Sequence, residues 1–135
     1  MRAYDQMGEA QVRALAEAFY DIMQRSELAL TRVHRLAPDS AEDAPKVHPE
    51  VRMRFSLFLV GWLGGPQTYA ETFGHPRLRM RHGHVPIDSA MRDAWLRCMF
   101  AAMNQVDVEP SLKTYLEMRF AEVADFLRNV QDAPK

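Results

Sequence analysis

The sequence predicts an all-α domain, and three observations support this. The chain has 135 residues, 47% hydrophobic and 26% charged, so it can bury a core of its own. Ala, Leu and Met are abundant, whereas the strand-favouring Ile occurs only at positions 22 and 87. Several segments also repeat apolar residues at spacings of three and four, the period of an α-helix. We expect a single domain over 1–135, with a core at about 8–129 and a tail at 131–135.

The first half of the chain contains two main helices. A helix over about 9–25 places one apolar stripe on its surface, formed by Val12, Leu15, Phe19, Ile22 and Met23. A shorter helix is predicted over about 27–36, followed by an exposed loop over 37–48 that is rich in prolines and acids. Pro49 then opens a helix that ends near Gly64-Gly65-Pro66, with an apolar face of Phe55, Phe58, Leu59 and Trp62.

The second half contains two more helices. Asp88 or Ser89 can cap one of them, whose apolar face comprises Met91, Trp95, Cys98, Met99, Ala102 and Val106. Pro110 opens the last helix, with predicted inward residues Leu112, Tyr115, Leu116, Val123, Phe126 and Leu127. Between the two halves, residues 64–86 include at most a short helix near 67–73. A long irregular segment inside a small domain is usually functional.

Composition excludes several classes of protein. A formal net charge of −1 argues against a protein that holds nucleic acid by its phosphates. The single cysteine, Cys98, precludes an internal disulfide and an all-cysteine metal site. The N-terminus has no apolar core of a signal peptide, and no apolar run approaches the roughly 20 residues that span a bilayer. We therefore expect a cytoplasmic protein without a membrane partner.

Histidine and arginine are concentrated in the segment 75–84, which reads HPRLRMRHGH. Three interpretations are open: a solvated basic loop held to the core by Leu78 and Met80, an anion-binding patch of arginines, or a metal-binding imidazole with arginines balancing the charge of its cofactor. His75, His82 and His84 lack the spacing of a zinc hydrolase, and no nearby carboxylates complete a non-haem iron triad. A single imidazole suffices for haem iron, to which the porphyrin supplies the other nitrogens.

Nucleophilic hydrolysis is poorly supported. The sequence has no Gly-x-Ser-x-Gly motif and no glycine-rich phosphate loop. Cys98 falls on the predicted buried stripe of its helix, where a thiol is normally a small core hydrophobe.

Four blocks of sequence resemble the group II truncated haemoglobins, in order and at suitable spacing. They are FYDIM at 19–23, FLVGWLGGPQTY at 58–69, GHPRLRMRH at 74–82 and RDAWLRCM at 92–99. The resemblance extends over about 8–129. It implies the two-over-two globin sandwich, in which four main helices enclose haem b and an irregular stretch precedes the proximal histidine.

The resemblance also assigns roles to individual residues. His82, which ends the RMRH block, matches the proximal iron ligand. Tyr20 matches a distal tyrosine whose phenol can donate a hydrogen bond to a bound diatomic ligand, and Trp95 matches a distal tryptophan whose indole N–H is a donor only. The remaining residues expected at the haem are Val51, Phe55, Leu78 and Val85, with the arginines Arg54 and Arg81 near its propionates.

The chain departs from the family pattern at two places. The stretch between Tyr20 and Phe55 is several residues longer than usual. The family places an aromatic residue or a histidine just before a proline at the end of the second helix, where this chain offers Ala37, before Pro38, or His34. After His82, His84 and Val85 replace the usual proline and phenylalanine, which makes His84 an alternative ligand.

The resemblance implies a haem-b protein that reversibly binds dioxygen or another diatomic ligand. Tight binding would suit redox chemistry on nitric oxide or peroxide, with electrons from a separate reductase. The alternatives are a haem-based sensor or interaction module, and a haem-free helical protein that binds an anionic partner through its arginines.

Overall fold

The computed structural model of the chain describes residues 2–75 and 85–132, and the regular structure there is helical apart from one isolated antiparallel bridge between Leu36 and Val47. The all-α prediction is therefore confirmed. Within these ranges the helices are α1 (Ala3–Met7), α2 (Glu9–Ser26), α3 (Leu28–Arg32), α4 (Pro49–Trp62), α5 (Thr68–Phe73), α6 (Ser89–Gln105) and α7 (Pro110–Phe126).

The predicted helix starts are confirmed by their capping. Pro49 and Pro110 lie in the first turns of α4 and α7, where a missing N–H leaves no hydrogen bond unmade. The Asp88 carboxylate accepts a hydrogen bond from the Met91 N–H at 2.9 Å, which identifies it as the N-cap of α6. Local sequence thus determines where the longer helices begin.

Helix α2 is the centre of the packing. It contacts α4 on one side and α6 on another, and α6 in turn packs against α7. The predicted apolar stripe of α2 is confirmed, because all five of its members are buried. The largest side chains with almost no exposed surface are Leu15, Phe19, Met23, Leu59, Met99, Met103 and Leu116.

Two inward-facing predictions on α7 are wrong. Tyr115 is 50% exposed and Phe126 is 58% exposed. The buried residues of α7 follow one another every four positions, at Leu112, Leu116, Phe120 and Ala124. This stripe is narrower than the predicted one, and it leaves Tyr115 and Phe126 on the flanks of the helix.

The segment before α4 differs from the prediction in two respects. Helix α3 has only five residues, and the chain leaves it through a turn in which the Val33 N–H donates to the Leu30 carbonyl at 3.3 Å. The middle of the loop is exposed as predicted, but its two ends are buried. There the Ala37 N–H donates to the Lys46 carbonyl at 2.8 Å, and Val47 lies in the core.

The sequence did not predict α1, which packs on the turn after α4. The Tyr4 N–H donates to the Leu63 carbonyl at 2.9 Å, and the Arg2 guanidinium donates to the Gly64 carbonyl at 3.0 Å. The tyrosine ring and the arginine stem cover the backbone of Gly65 and Gly64, where a Cβ atom would lie only 2.5 Å from each side chain. In the described part of the chain, none of the helices has the length and hydropathy required to cross a membrane.

Candidate functional site

Tyr20 lies on α2, and its side chain is surrounded by other aromatic rings. It is only 3% exposed. The centroid of its ring lies 5.1 Å from that of Phe19, 5.5 Å from that of Phe55 and 5.8 Å from that of His34, each in edge-to-face geometry. Such contacts fix the plane of the ring. They bring together residues of α2, of α4 and of the turn after α3.

The Tyr20 phenol is held in its neutral form. Burial raises its pKa well above the ordinary value for a tyrosine, and the nearby Arg52 cation opposes that rise. A neutral phenol is a hydrogen-bond donor at every physiological pH. A buried neutral phenol can donate its hydrogen to a polar ligand atom.

Trp95 reaches the same cluster from α6. Its ring centroid is 5.2 Å from that of Phe19 and 5.8 Å from that of Phe120 on α7. The Phe19 ring therefore contacts both the Tyr20 ring and the Trp95 ring. The structure brings the two predicted distal residues together around one buried phenylalanine.

Helix α4 contributes the apolar predicted residues. Phe55 contacts both Phe19, at 5.2 Å between centroids, and Phe58, at 6.3 Å. Val51, one turn earlier, is half-buried and packs on the core. Neither side chain carries a polar atom, so this helix offers the cluster no hydrogen bond from those positions.

Arg54 lies on α4 with its guanidinium directed towards α5. Nη2 donates to a Glu50 carboxylate oxygen at 2.8 Å, and the guanidinium carbon is 4.3 Å from the centroid of the Phe73 ring. This pair also lowers the pKa of Glu50. The Arg54 Nε is buried, and in the described residues nothing accepts its hydrogen. A buried guanidinium N–H in this state fits an anionic group such as a carboxylate.

Of the residues predicted on the proximal side, only those at the two ends of the segment are described. Leu78, Arg81, His82 and His84 lie outside the described residues. Val85, just after them, is half-buried, and its carbonyl accepts a hydrogen bond from Asn129 Nδ2 at 2.8 Å. His75, just before them, is exposed.

His34 is one of the two candidates, with Ala37, between which the sequence could not decide. Its Nδ1 is 2.8 Å from the Leu30 carbonyl oxygen, so Nδ1 carries the proton because a carbonyl only accepts. Its ring meets the edge of Tyr20. Ala37, the alternative at this position, pairs through its backbone with Lys46 and offers only a methyl group. The sequence could not decide between His34 and Ala37 because this stretch is several residues longer than is usual in the family.

Arg52 is a further neighbour of the Tyr20 ring, and the sequence motifs did not indicate this contact. The arginine lies one position after Val51, and its guanidinium carbon is 5.6 Å from the centroid of the Tyr20 ring. The signal that could have found it is a pair of acids on α2, Glu17 and Asp21, which are one helical turn apart and flank the tyrosine.

Cys98 is confirmed as a core side chain. It is buried in α6, and burial raises the pKa of its thiol to about 11. A thiol with such a pKa is a poor nucleophile at neutral pH.

These residues together fit a haem. The cluster has an apolar aromatic wall, a buried neutral phenol and a buried guanidinium N–H without a partner in the described residues. This combination, on helices that pack as α2 with α4 and α6 with α7, is what a haem-binding globin requires.

Comparison with known proteins identifies the family. The family model described as bacterial-like globin matches residues 2–129. The group 2 truncated haemoglobin YjbI of Bacillus subtilis is 33% identical over 130 residues, which cover 96% of this chain and 90% of that protein. The chain belongs to the bacterial-like globins and, within them, to the group II truncated haemoglobins.

Solved structures agree on the fold. The cold-adapted truncated haemoglobin of the Antarctic bacterium Pseudoalteromonas haloplanktis TAC125 superposes with a TM-score of 0.83 at 35% identity, covering 96% of this chain and 99% of that one. The group II 2-on-2 haemoglobin of Agrobacterium tumefaciens gives 0.80 at 32% identity, with 98% and 96% covered. The predicted two-over-two sandwich is confirmed. The chain binds haem b and, as a globin, takes a diatomic ligand at the haem.

Proposed function

We propose that this protein holds haem iron through His82 and binds dioxygen beneath Tyr20 and Trp95. The observation that carries the proposal is the buried Tyr20 side chain, whose ring is enclosed by those of Phe19, Phe55 and His34. When bound, haem supplies the iron position at which a diatomic ligand coordinates. The protein decides what surrounds that ligand.

Tyr20 and Trp95 supply the polar contacts to the ligand in this proposal. A phenol O–H and an indole N–H both donate, so both favour a ligand whose outer atom is negatively polarised, as in dioxygen. Val51 and Phe55 exclude water and add no competing donor. Such a pocket favours dioxygen over carbon monoxide, because carbon monoxide gains less from a hydrogen bond.

Arg54 orients the cofactor by pairing with a propionate through its buried Nε. The cation–π contact with Phe73 and the pair with Glu50 hold the guanidinium in place for this role. We assign the second propionate contact to Arg81 because it directly precedes His82 in the sequence. Leu78 and Val85, which also lie close to His82 in the sequence, are assigned to the proximal wall.

Two donors at the ligand imply slow release of dioxygen, which suits chemistry better than transport. We therefore propose a redox role: haem would supply the iron for the conversion of dioxygen and nitric oxide to nitrate, Tyr20 and Trp95 would hold the dioxygen, and a separate reductase would return the electron that the iron loses. Stopped-flow mixing of the oxygenated protein with nitric oxide tests this, with rapid formation of nitrate as the expected result. A slow or absent reaction contradicts the redox role and leaves a binding protein.

The proximal assignment is tested by three matched variants. We expect His82→Ala to lose the Soret band of the purified protein, whereas His84→Ala and His75→Ala keep it and keep the carbon monoxide spectrum. If His82→Ala retains haem with an unchanged spectrum, and one of the other two variants loses it, the ligand is that other histidine.

A further inference from the structure

Arg52 is built into the contact between α4 and α2. It lies in the second turn of α4, next to Val51, yet its side chain is only 16% exposed. An arginine at such a position normally extends into water. Here the guanidinium turns towards α2 instead, so its position is set by the groups that it meets on that helix.

Two carboxylates of α2 fix the guanidinium. Nη2 lies 2.6 Å from Glu17 Oε2 and 2.8 Å from Asp21 Oδ1, and it also donates to the Glu17 carbonyl at 3.2 Å. Glu17 and Asp21 are one helical turn apart and so point the same way. The guanidinium of Arg52 is therefore tied to the turn of α2 that carries Tyr20.

The same guanidinium covers the Tyr20 ring. The distance from Arg52 Cζ to the ring centroid is 5.6 Å, within the range of a cation–π interaction. The other neighbours of this ring are Phe19, Phe55 and His34, which meet it edge to face. Arg52 is thus the one cation in an otherwise aromatic set of described ring contacts, and it adds a restraint of a different kind to the ring.

Arg52 also borders solvent. It lines an open cleft of about 390 Å³ together with Glu17, Gln24, Asp39, Lys46 and Met53. Removing the guanidinium would take away the cationic contact of the Tyr20 ring and admit water from the cleft to the place that the guanidinium occupies. The ring would then gain freedom to tilt, and its hydroxyl would no longer point in one fixed direction.

We propose that Arg52 is a positioning residue for Tyr20: it fixes the tyrosine ring from the cleft side and thereby sets how strongly the phenol holds the bound diatomic ligand. This inference rests on the proposed function, because it takes Tyr20 as the donor to that ligand. The residue acts through the tyrosine and does not touch the ligand itself.

The test compares the holoproteins of five variants: Arg52→Met, Arg52→Lys, Tyr20→Phe, the double variant of Arg52→Met with Tyr20→Phe, and Arg97→Met. Arg97 is the matched control, since its guanidinium also joins two helical segments through a carboxylate, at 2.9 Å from Glu27, away from Tyr20. We expect Arg52→Met to release dioxygen about threefold faster or more, on the scale of one cation–π contact. Arg97→Met keeps the parent rate.

The C–O stretching frequency of bound carbon monoxide distinguishes a change in the position of the Tyr20 hydroxyl from a general loss of rigidity in the protein. A donor near bound carbon monoxide lowers its C–O stretching frequency, so Arg52→Met should shift this frequency towards the higher value of Tyr20→Phe. The double variant should match Tyr20→Phe in both rate and frequency, because Arg52 has nothing left to position. Arg52→Lys, which keeps the charge but lacks the planar guanidinium that covers the ring, should fall between the parent and Arg52→Met and serves if the methionine variant does not fold.

The outcomes distinguish the two proposals. If Tyr20→Phe alters rate and frequency but Arg52→Met and Arg52→Lys do not, the role of Arg52 is wrong and that of Tyr20 stands. The role of Arg52 is equally wrong if Arg52→Met speeds release to the same extent with or without the tyrosine hydroxyl. If Tyr20→Phe changes neither quantity, Tyr20 is not the donor, and both proposals are overturned.

Discussion

Asn129 and Ile87 are joined by a reciprocal pair of hydrogen bonds: the Ile87 N–H donates to Asn129 Oδ1 at 2.7 Å, and the Asn129 N–H donates to the Ile87 carbonyl at 3.0 Å. Asn129 Nδ2 additionally donates to the Val85 carbonyl at 2.8 Å. The segment just after α7 therefore holds the stretch of chain that follows the proposed proximal histidine. This connection leads to the first of four predictions.

Asn129→Ala should loosen the proximal side. Losing two side-chain hydrogen bonds to the backbone, one part-buried and one exposed, costs about 1 to 3 kcal/mol of unfolding free energy. Haem should also transfer faster to an acceptor apoprotein, since Val85 is only three residues from His82. Thermal unfolding and haem-transfer kinetics measure the two effects. Asn104→Ala, which removes an exposed side-chain contact with Lys113, is the control and should change neither.

Tyr20→Phe should accelerate dioxygen release by about tenfold to a hundredfold, the range of a hydrogen bond to a charged or strongly polarised group. The fold should be retained, because the ring contacts survive. Tyr69 is the matched control: it is likewise buried and packs on Phe58 and Phe73. An equal acceleration in Tyr69→Phe would mean that the effect is structural and not a lost donor.

Gly61 and Gly64 should respond to alanine in opposite directions. Gly64 has a φ of +104°, and an added Cβ would lie 2.5 Å from the Arg2 side chain, so Gly64→Ala should cost about 1 to 2 kcal/mol of stability. Gly61 lies inside α4, where a Cβ would meet only the Gln67 amide at 3.4 Å. Gly61→Ala should therefore stabilise the protein by up to about 1 kcal/mol. Chemical denaturation of the two variants measures the difference.

Glu27 should make part of the stability dependent on pH. Its two hydrogen bonds from Arg97, at 2.9 and 3.1 Å, lower the pKa of its carboxyl below the ordinary 4.5. A carboxyl whose folded pKa is lowered stabilises the fold above its unfolded pKa, and this contribution is lost as pH falls through the folded pKa. Glu27→Gln should thus lower stability by about 0.5 kcal/mol at pH 7.

The control for this dependence is Glu122→Gln, which breaks an exposed pair with Arg119 within one helix. Melting temperatures across the acid range should converge for Glu27→Gln and the parent and remain close throughout for Glu122→Gln. A gap between Glu27→Gln and the parent that persists unchanged in strong acid would contradict the charge-based explanation.

Much of this protein could be predicted from local patterns. The apolar stripe of α2, the proline openings of α4 and α7 and the Asp88 cap each depend on residues within a few positions of one another, and all are confirmed. Tyr20 and Trp95 could be predicted as distal residues because each belongs to a distinctive block of sequence. The proposed proximal ligand, His82, likewise depends on the RMRH block.

Tertiary structure alone decided which residues meet. It placed His34 rather than Ala37 against Tyr20, brought Arg52 over the same ring, linked Asn129 to the chain after the proximal segment and left Tyr115 and Phe126 at the surface. Helical periodicity reports which side of a helix is apolar, but the width of the buried stripe is set by the partner helix. Contacts between residues far apart in the chain depend on how the helices pack against one another, and no short segment of the chain carries that information.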